Sequence, residues 1–380
     1  MATKQVSRIW SVPQLRARTK QTLNAFVDVD LELLPTEIKR LVSIHEYWMV
    51  TRLLDAVDYG MPASATNASR PEMHEEIREL SILAHNILSL NSLDFGQWIE
   101  NENIPISIRT ELSQLTWPNS PGDVQRGALK TLQPTYKLLI EVLEILVVKG
   151  QVVMALSVFH LMIEYLPLLA WEKTLGHAGD PVQMGDHLNR PGARWKSDDC
   201  PLSRADRNAF DAVTSALESD KKWNKYIRDS HSRVSNALSI CGGVPNPLNQ
   251  INGQRICRNP CAVMCGETDL SWAMVLIRRL RGSSIVQLRH DSPVGHFFAV
   301  PSEQEILAKW EMTWEGLLAD NPEASASENP LSGVERTGAL PGLPQLLNVI
   351  AGTPKHEPME AGTLLNDINE HLVALVDSLK

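Results

Sequence analysis

Cysteine and histidine side chains between residues 231 and 296 are of the types that bind metal ions. The candidate ligands are Cys241, Cys257, Cys261 and Cys265, with His231, His290 or His296 completing the set. Zinc ligands usually pair two to four residues apart on a tight loop, whereas cysteines at every fourth position of a helix are typical of buried thiols. The pattern favours a structural role, and the sequence predicts neither a metal nor another cofactor.

Two arginine–histidine pairs have a spacing that could serve phosphodiester cleavage. Arg78 precedes His85 and Arg289 precedes His296, with six residues inside each pair. The spacing resembles that of HEPN ribonucleases, in which such a pair acts on the scissile phosphate at a dimer interface. These types suit general acid–base chemistry, but neither a nucleophile elbow nor a phosphate-binding loop accompanies them. We expect a protein that is not an enzyme, with a ribonuclease as an alternative.

The strongest binding pattern interleaves cations and aromatic rings over residues 221–228, Lys-Lys-Trp-Asn-Lys-Tyr-Ile-Arg. Cations hold phosphates while rings stack on bases, so this segment predicts RNA contact. Trp223 and Tyr226 could equally belong to the core, with the cations as a solvated face. The candidate phosphate contacts of this segment are Lys221, Lys222, Lys225 and Arg228. The predicted stacking residues are Trp195, Trp223 and Tyr226.

Positive charge is concentrated in two parts of a chain of 380 residues whose net charge is −9. Residues 1–20 hold five basic groups and no acidic one, and residues 190–289 hold 16 basic and nine acidic groups. Residues 21–189 hold 11 basic against 22 acidic groups, and residues 290–380 hold four against 14. A concentrated basic surface suits a phosphate backbone because binding releases counterions. The alternatives are pairing with the acidic regions inside the fold and, for Arg278, Arg279 and Arg281, interaction with the dipole of a helix that ends there.

Hydrophobic spacing predicts an all-α, mainly helical protein with two helical lobes, a hinge and two terminal arms. At most a minor β-hairpin is expected near 284–300, from Ser284–Leu288 and Phe297–Val300. The predicted organisation is a basic arm at 1–22, a first lobe at 23–175, a hinge at 176–200, a basic second lobe at 201–320, an acidic flexible linker at 321–362 and a C-terminal helix at 363–380.

Cysteine usage and the N-terminus predict a location for the chain. Five cysteines are an odd number, and no apolar secretory run opens the sequence, so a reducing, cytoplasmic compartment is expected. The most apolar region, Leu138–Trp171, is interrupted by charges, and its uncharged run Gly150–Ile163 is too short to span a bilayer. We therefore expect a buried helix pair there and no membrane contact.

The order of basic arm, acidic lobe, basic lobe and acidic tail resembles that of nucleoproteins of nonsegmented negative-strand RNA viruses. The resemblance is one of architecture and charge layout, and implies a divergent member such as one from a fungal virus. It implies sequence-independent packaging of single-stranded RNA in a cleft between lobes, homo-oligomers, a polymerase or phosphoprotein partner, and a place in the virion. The RNA-binding residues it implies in that cleft are Arg194, Lys196, Lys221, Lys222, Lys225, Arg228, Arg233, Arg278, Arg279 and Arg281. The oligomerisation residues it implies are Arg8, Trp10, Arg16, Arg18, Leu372, Leu375 and Leu379. The competing hypothesis is a helical scaffold protein without nucleic acid, which would dock through its terminal helix.

Overall fold

The computed structural model describes residues 33–60, 69–91, 95–188, 203–241, 270–290, 300–319, 328–352 and 358–379. Within these ranges every regular element is helical and no strand occurs, which confirms the predicted all-α fold. The chain divides into two compact units. Unit 1 comprises Met1–Asn91 and Leu365–Lys380, and unit 2 comprises Ser92–Leu364.

The helices are numbered in chain order. They are α1 (Leu34–Ser43), α2 (Tyr47–Gly60), α3 (Ser69–Leu88), α4 (Phe95–Ile99), α5 (Ile106–Leu115), α6 (Gln133–Val148), α7 (Val152–Leu175), α8 (Pro181–Leu188), α9 (Ser203–Ala216), α10 (Asp220–Lys225), α11 (His231–Cys241), α12 (Ser271–Arg281), α13 (Ser284–His290), α14 (Glu303–Leu318), α15 (Leu343–Ile350) and α16 (Leu364–Ser378). A short 3₁₀ helix covers Gly127–Leu129. One turn of π-helix at Tyr226–Ser230, called the π-turn below, joins α10 to α11.

Unit 1 combines α1–α3 with the C-terminal helix α16. The apolar residues of α16 recur at helical spacing, and Ile368, Leu372 and Val376 are fully buried. Tyr47 Oη donates a hydrogen bond of 2.8 Å to Asn369 Oδ1, which ties α2 to α16. The terminal helix therefore packs on helices of its own chain.

Unit 2 is built around α7. Gly150, with φ +66, lies between α6 and α7, which pack on each other, so the predicted buried helix pair is confirmed. α7 also contacts α11, α12, α13 and α15. One helix in the described ranges, α7 itself, is long and apolar enough to cross a membrane by length and composition, and most of its side chains are buried inside the protein.

The predicted strand at Ser284–Leu288 is wrong, because these residues belong to α13. Ile285 and Leu288 lie three positions apart and are both buried, whereas a strand would place them on opposite faces. Gln287 N donates to Ser283 O at 3.1 Å, as in a helix. Of the predicted partner strand only Val300 lies in the described ranges, and it belongs to no strand.

The described parts of the predicted hinge and linker are packed into unit 2. His177, Ala178 and Asp180 are at most 1% exposed, and α8 follows them directly. In the predicted linker, α15 buries Leu346 and Leu347. Helices from both predicted lobes share unit 2, so its boundary with unit 1 lies near residue 91 and not at the hinge.

Candidate nucleic-acid interface

Five exposed cations follow one another along α10, the π-turn and the start of α11. This basic face consists of Lys221, Lys222, Lys225, Arg228 and Arg233. The residues between them, Trp223, Tyr226 and His231, point inward and are at most 1% exposed. Helical spacing thus places the cations on the exposed side of the segment and the aromatic residues on its buried side.

The basic face keeps a positive balance. Glu218, Asp220 and Asp229 are the acidic residues of the same stretch, against five cations. Lys222 pairs with Glu218, and both side chains are about half exposed. The other four cations form no ion pair with any residue that the structure describes. Their charge is directed at solvent and remains available to an anion.

The two predicted stacking residues of this segment are core residues, so the stacking prediction is wrong for both. Trp223 is fully buried and its Nε1 donates to Pro118 O at 2.7 Å. Tyr226 is 1% exposed and its Oη donates to Gly179 O at 2.7 Å. Each ring pairs its polar atom inside the protein, as buried tryptophan and tyrosine usually do. Trp195 lies outside the described residues, as do Arg194 and Lys196.

Two of the three arginines at the end of α12 bind backbone carbonyls of unit 2, and the three are not part of the basic face. Arg279 Nη1 donates to Leu317 O at 2.9 Å and to Ala319 O at 2.6 Å, which satisfies free carbonyls at the end of α14. Arg281 Nη2 lies 3.5 Å from Glu164 O, and burial lowers the pKa of its guanidinium. Arg278 is half-buried. The predicted set of RNA-binding residues is therefore split between a surface and a structural group.

A buried loop, residues 177–180, lies beneath the basic face and is termed the anchor loop. Asp180 accepts hydrogen bonds from Arg126 Nε at 2.8 Å and from Arg126 Nη2 at 2.6 Å. Their side chains are only 1% and 14% exposed. The Arg126 guanidinium also lies 5.2 Å from the centre of the Trp223 ring. The inner side of α10 and the anchor loop thus share one buried ion pair.

His231 also contacts the anchor loop from within the protein. Its Nε2 donates to Ala178 O at 2.9 Å, while its Nδ1 has no hydrogen-bond partner among the described residues. The rings of Trp117, Tyr165 and Tyr226 surround it at centroid distances of 4.9, 5.6 and 5.6 Å. Burial lowers its pKa to about 4, so the imidazole is neutral at pH 7.

Among the residues that the structure describes, those around His231 do not form a metal site. In the described ranges no group of three histidine, cysteine or carboxylate side chains is placed to bind a metal ion. Cys257, Cys261, Cys265 and His296 lie outside those ranges, and the side chains of Cys241 and His290 are likewise not described. The anchor loop escaped prediction because its glycine and aspartate suggested a turn or hinge. The available signal was the helical spacing of Trp223, Tyr226 and Ser230, all buried, which predicts that this side of the segment packs on another part of the chain.

The ribonuclease-like pair in unit 1 is engaged elsewhere. Arg78 forms ion pairs with Asp55, at 3.3 Å, and with Asp58 and Glu75. Its partner in the predicted pair, His85, lies 5.6 Å from the ring of Trp48. Three carboxylates around Arg78 oppose the approach of a phosphate. The side chain of Arg289 and the whole of His296 lie outside the described residues.

The predicted oligomerisation residues of α16 contact their own chain. Leu372 is fully buried in unit 1, and Leu375 and Leu379 are half-buried. Lys39 and Asp377, 2.5 Å apart, join α1 to the end of the same helix. Arg8, Trp10, Arg16 and Arg18 lie outside the described residues.

Comparison of the chain with protein-family models, with curated proteins and with solved structures finds no match. The fold and the site define an all-α protein whose basic helical face rests on a buried ionic and aromatic anchor.

Proposed function

We propose that this protein binds single-stranded RNA without regard to sequence and packages it, with the basic face as its contact to phosphates. The observation that carries the proposal is the row of exposed cations from Lys221 to Arg233, four of them without an ion-pair partner in the described ranges. Such a row neutralises consecutive phosphates and releases their counterions.

The buried side of the same segment preorganises the cations of the basic face. Trp223 and Tyr226 fix α10 and the π-turn through hydrogen bonds to the carbonyls of Pro118 and Gly179. Cations on a backbone held in this way lose less conformational freedom on binding than cations on a loose segment. Because both rings are buried, the face offers phosphates only charge, which supports binding without sequence preference.

Self-assembly completes the packaging proposal. The basic arm at residues 1–20, with five cations and no acid, remains the proposed contact to neighbouring copies. α16 has a smaller part in it than the sequence suggested, because Leu372 is buried in its own chain. Absorbance at 260 and 280 nm together with negative-stain images of freshly purified protein should show bound nucleic acid and rings or filaments. An RNA-free monomer would favour a scaffold protein.

The direct test is charge reversal with a matched control. Lys221→Glu with Lys225→Glu removes two cations of the basic face, and Lys130→Glu with Lys137→Glu removes two lysines that are exposed elsewhere in unit 2. Affinity for oligouridylate and for a mixed-sequence RNA should fall together in the first variant. Its slope of log affinity against log salt should be shallower by about 1.4, at roughly 0.7 per lost phosphate contact. The control should keep the wild-type slope.

Two outcomes oppose the proposal. Equal losses in both double variants would show that net charge, and not this face, determines binding. An unchanged affinity of the Lys221/Lys225 variant would remove the face from the interface altogether.

A further inference from the structure

We propose that His231 is a proton-sensitive latch for the basic face, such that its protonation frees the anchor loop and weakens RNA binding. The inference rests on the proposed function and adds a means of regulating the same site. Its basis is the position of His231 on the inner side of the segment that carries Arg228 and Arg233 outside.

The geometry around His231 accepts only a neutral ring. Nε2 already donates to the Ala178 carbonyl, and Nδ1, buried and unpartnered among the described residues, faces no acceptor for a second proton. Gly179, at φ +79, lies so close that a Cβ added to it would stand 3.0 Å from His231 Nε2. Among the described residues, the imidazolium would have two N–H donors and a single acceptor, the Ala178 carbonyl.

The ionisable groups facing His231 come from each neighbouring element and do not compensate its charge. α7 contributes Tyr165 and the π-turn contributes Tyr226; both are neutral phenols, and burial raises the pKa of each. The anchor loop contributes Asp180, the one carboxylate with an electrostatic effect on His231, and Arg126 binds it through two hydrogen bonds. A positive ring would therefore compete with an arginine already in place.

The anchor loop also contributes His177, whose Nδ1 accepts from the backbone N–H groups of Gly179 and Asp180 at 3.1 Å each. An imidazole that accepts in this way must also be neutral at that nitrogen. Protonation of either histidine thus opposes the same loop conformation.

Loss of the His231 ring from its site would act directly on the basic face. The bond to Ala178 would break, and Tyr226, which packs on His231 and donates to Gly179, would lose its support. The cations of the π-turn and α11 would then lose their fixed spacing.

Simple electrostatics predicts the opposite pH dependence of RNA affinity, because a protein that gains protons binds a polyanion more tightly. The sign of the pH dependence therefore separates the two mechanisms.

The first experiment measures affinity for oligouridylate, whose bases do not titrate between pH 7.5 and 4.5, at constant ionic strength. We expect the wild type to lose affinity progressively as pH falls from 6 to 4.5, towards the pKa of His231, and His231→Phe to lose much less. His371→Gln, a change at a half-exposed histidine of unit 1, is the control and should follow the wild type. Affinity that rises as pH falls in the wild type would overturn the latch.

The second experiment needs neither RNA nor a variant that folds. Amide hydrogen exchange of the wild-type protein, corrected for the intrinsic pH dependence, should show that residues 177–180 lose protection near pH 4.5 while α2 and α3 keep theirs. This result with no RNA binding at pH 7 would reject the proposed function but keep the latch. Protection that persists at 177–180, or is lost throughout the chain at once, would reject the latch itself.

Discussion

The ion pair between Arg126 and Asp180 should dominate the stability of the region below the basic face. Asp180→Asn keeps the shape of the side chain, and an oxygen to accept from Val182 N at 3.1 Å, but removes the charge that Arg126 contacts through two nitrogens. Arg126→Met performs the reverse change and leaves the carboxylate unpaired. With side chains 1% and 14% exposed, neither charge can be resolvated without opening the structure.

The magnitude follows from this burial. Removing one member of a buried pair usually costs about 3–5 kcal/mol, because the remaining charge is left without its partner. The double variant Arg126→Met with Asp180→Asn leaves neither charge behind. Its loss of unfolding free energy should therefore be smaller than the sum of the losses in the two single variants, by about 2–3 kcal/mol. Arg126→Met also loses the hydrogen bonds to the carbonyls of Pro121 and Asp123, which places its cost at the upper end.

Urea unfolding followed by circular dichroism measures the free energies of unfolding of the wild type, the two single variants and the double variant. Amide hydrogen exchange in α7 shows which unfolding transition belongs to unit 2. The surface pair Lys222–Glu218, with side chains 48% and 56% exposed, serves as the control and should couple by no more than about 0.5 kcal/mol. A coupling between Arg126 and Asp180 as small as that of the surface pair would refute the claim that this ion pair anchors the loop.

Further changes test other parts of the fold. Trp223→Phe should destabilise unit 2 by about 2–4 kcal/mol in urea, since it shrinks a buried ring and leaves the carbonyl bound to Nε1 unpaired. Gly342→Ala should lower the melting temperature, because φ is +95 and an added Cβ would stand 2.5 Å from the Trp314 ring. Leu372→Ala should cost unit 1 about 2–5 kcal/mol in a dilute monomer; an effect seen only in oligomers would instead place this residue between copies. Since the pKa of His231 is about 4 against an ordinary 6.5, the folded state resists its protonation. The contribution of neutral His231 to stability should therefore be complete above pH 6.5 and decline as pH falls towards 4, by about 2 kcal/mol at pH 5. The same decline in the His231→Phe variant would contradict this assignment.

Periodicity predicted the elements whose environment is simple. The α6–α7 pair follows from long apolar runs on either side of Lys149-Gly150, and the apolar stripe of α16 is visible in Ile368, Leu372 and Val376. The exposed cations of the basic face were likewise predictable, since lysines are rarely buried without a partner.

The failures have a common physical cause, which is that composition does not determine packing. Ser284–Leu288 is rich in β-branched and apolar residues but folds as α13, because its side chains pack on α14. The proline- and glycine-rich segment 321–362 suggested a linker, although Leu343, Leu346, Leu347 and Ile350 within it have helical spacing and are buried. Whether Trp223 stacks on a base or fills the core depends on the carbonyl of Pro118, 105 residues away in sequence.

The composition of unit 1 also sets the order in which the protein can fold during synthesis. α1–α3 are synthesised before unit 2, but the surface that Ile368, Leu372 and Val376 cover stays open until α16 has been made. Unit 2, continuous in sequence, can complete its core earlier. A nascent chain therefore carries an unfinished apolar surface on α1–α3 throughout the synthesis of unit 2, and a ribosome stalled before α16 would leave that surface exposed to chaperones or to other chains.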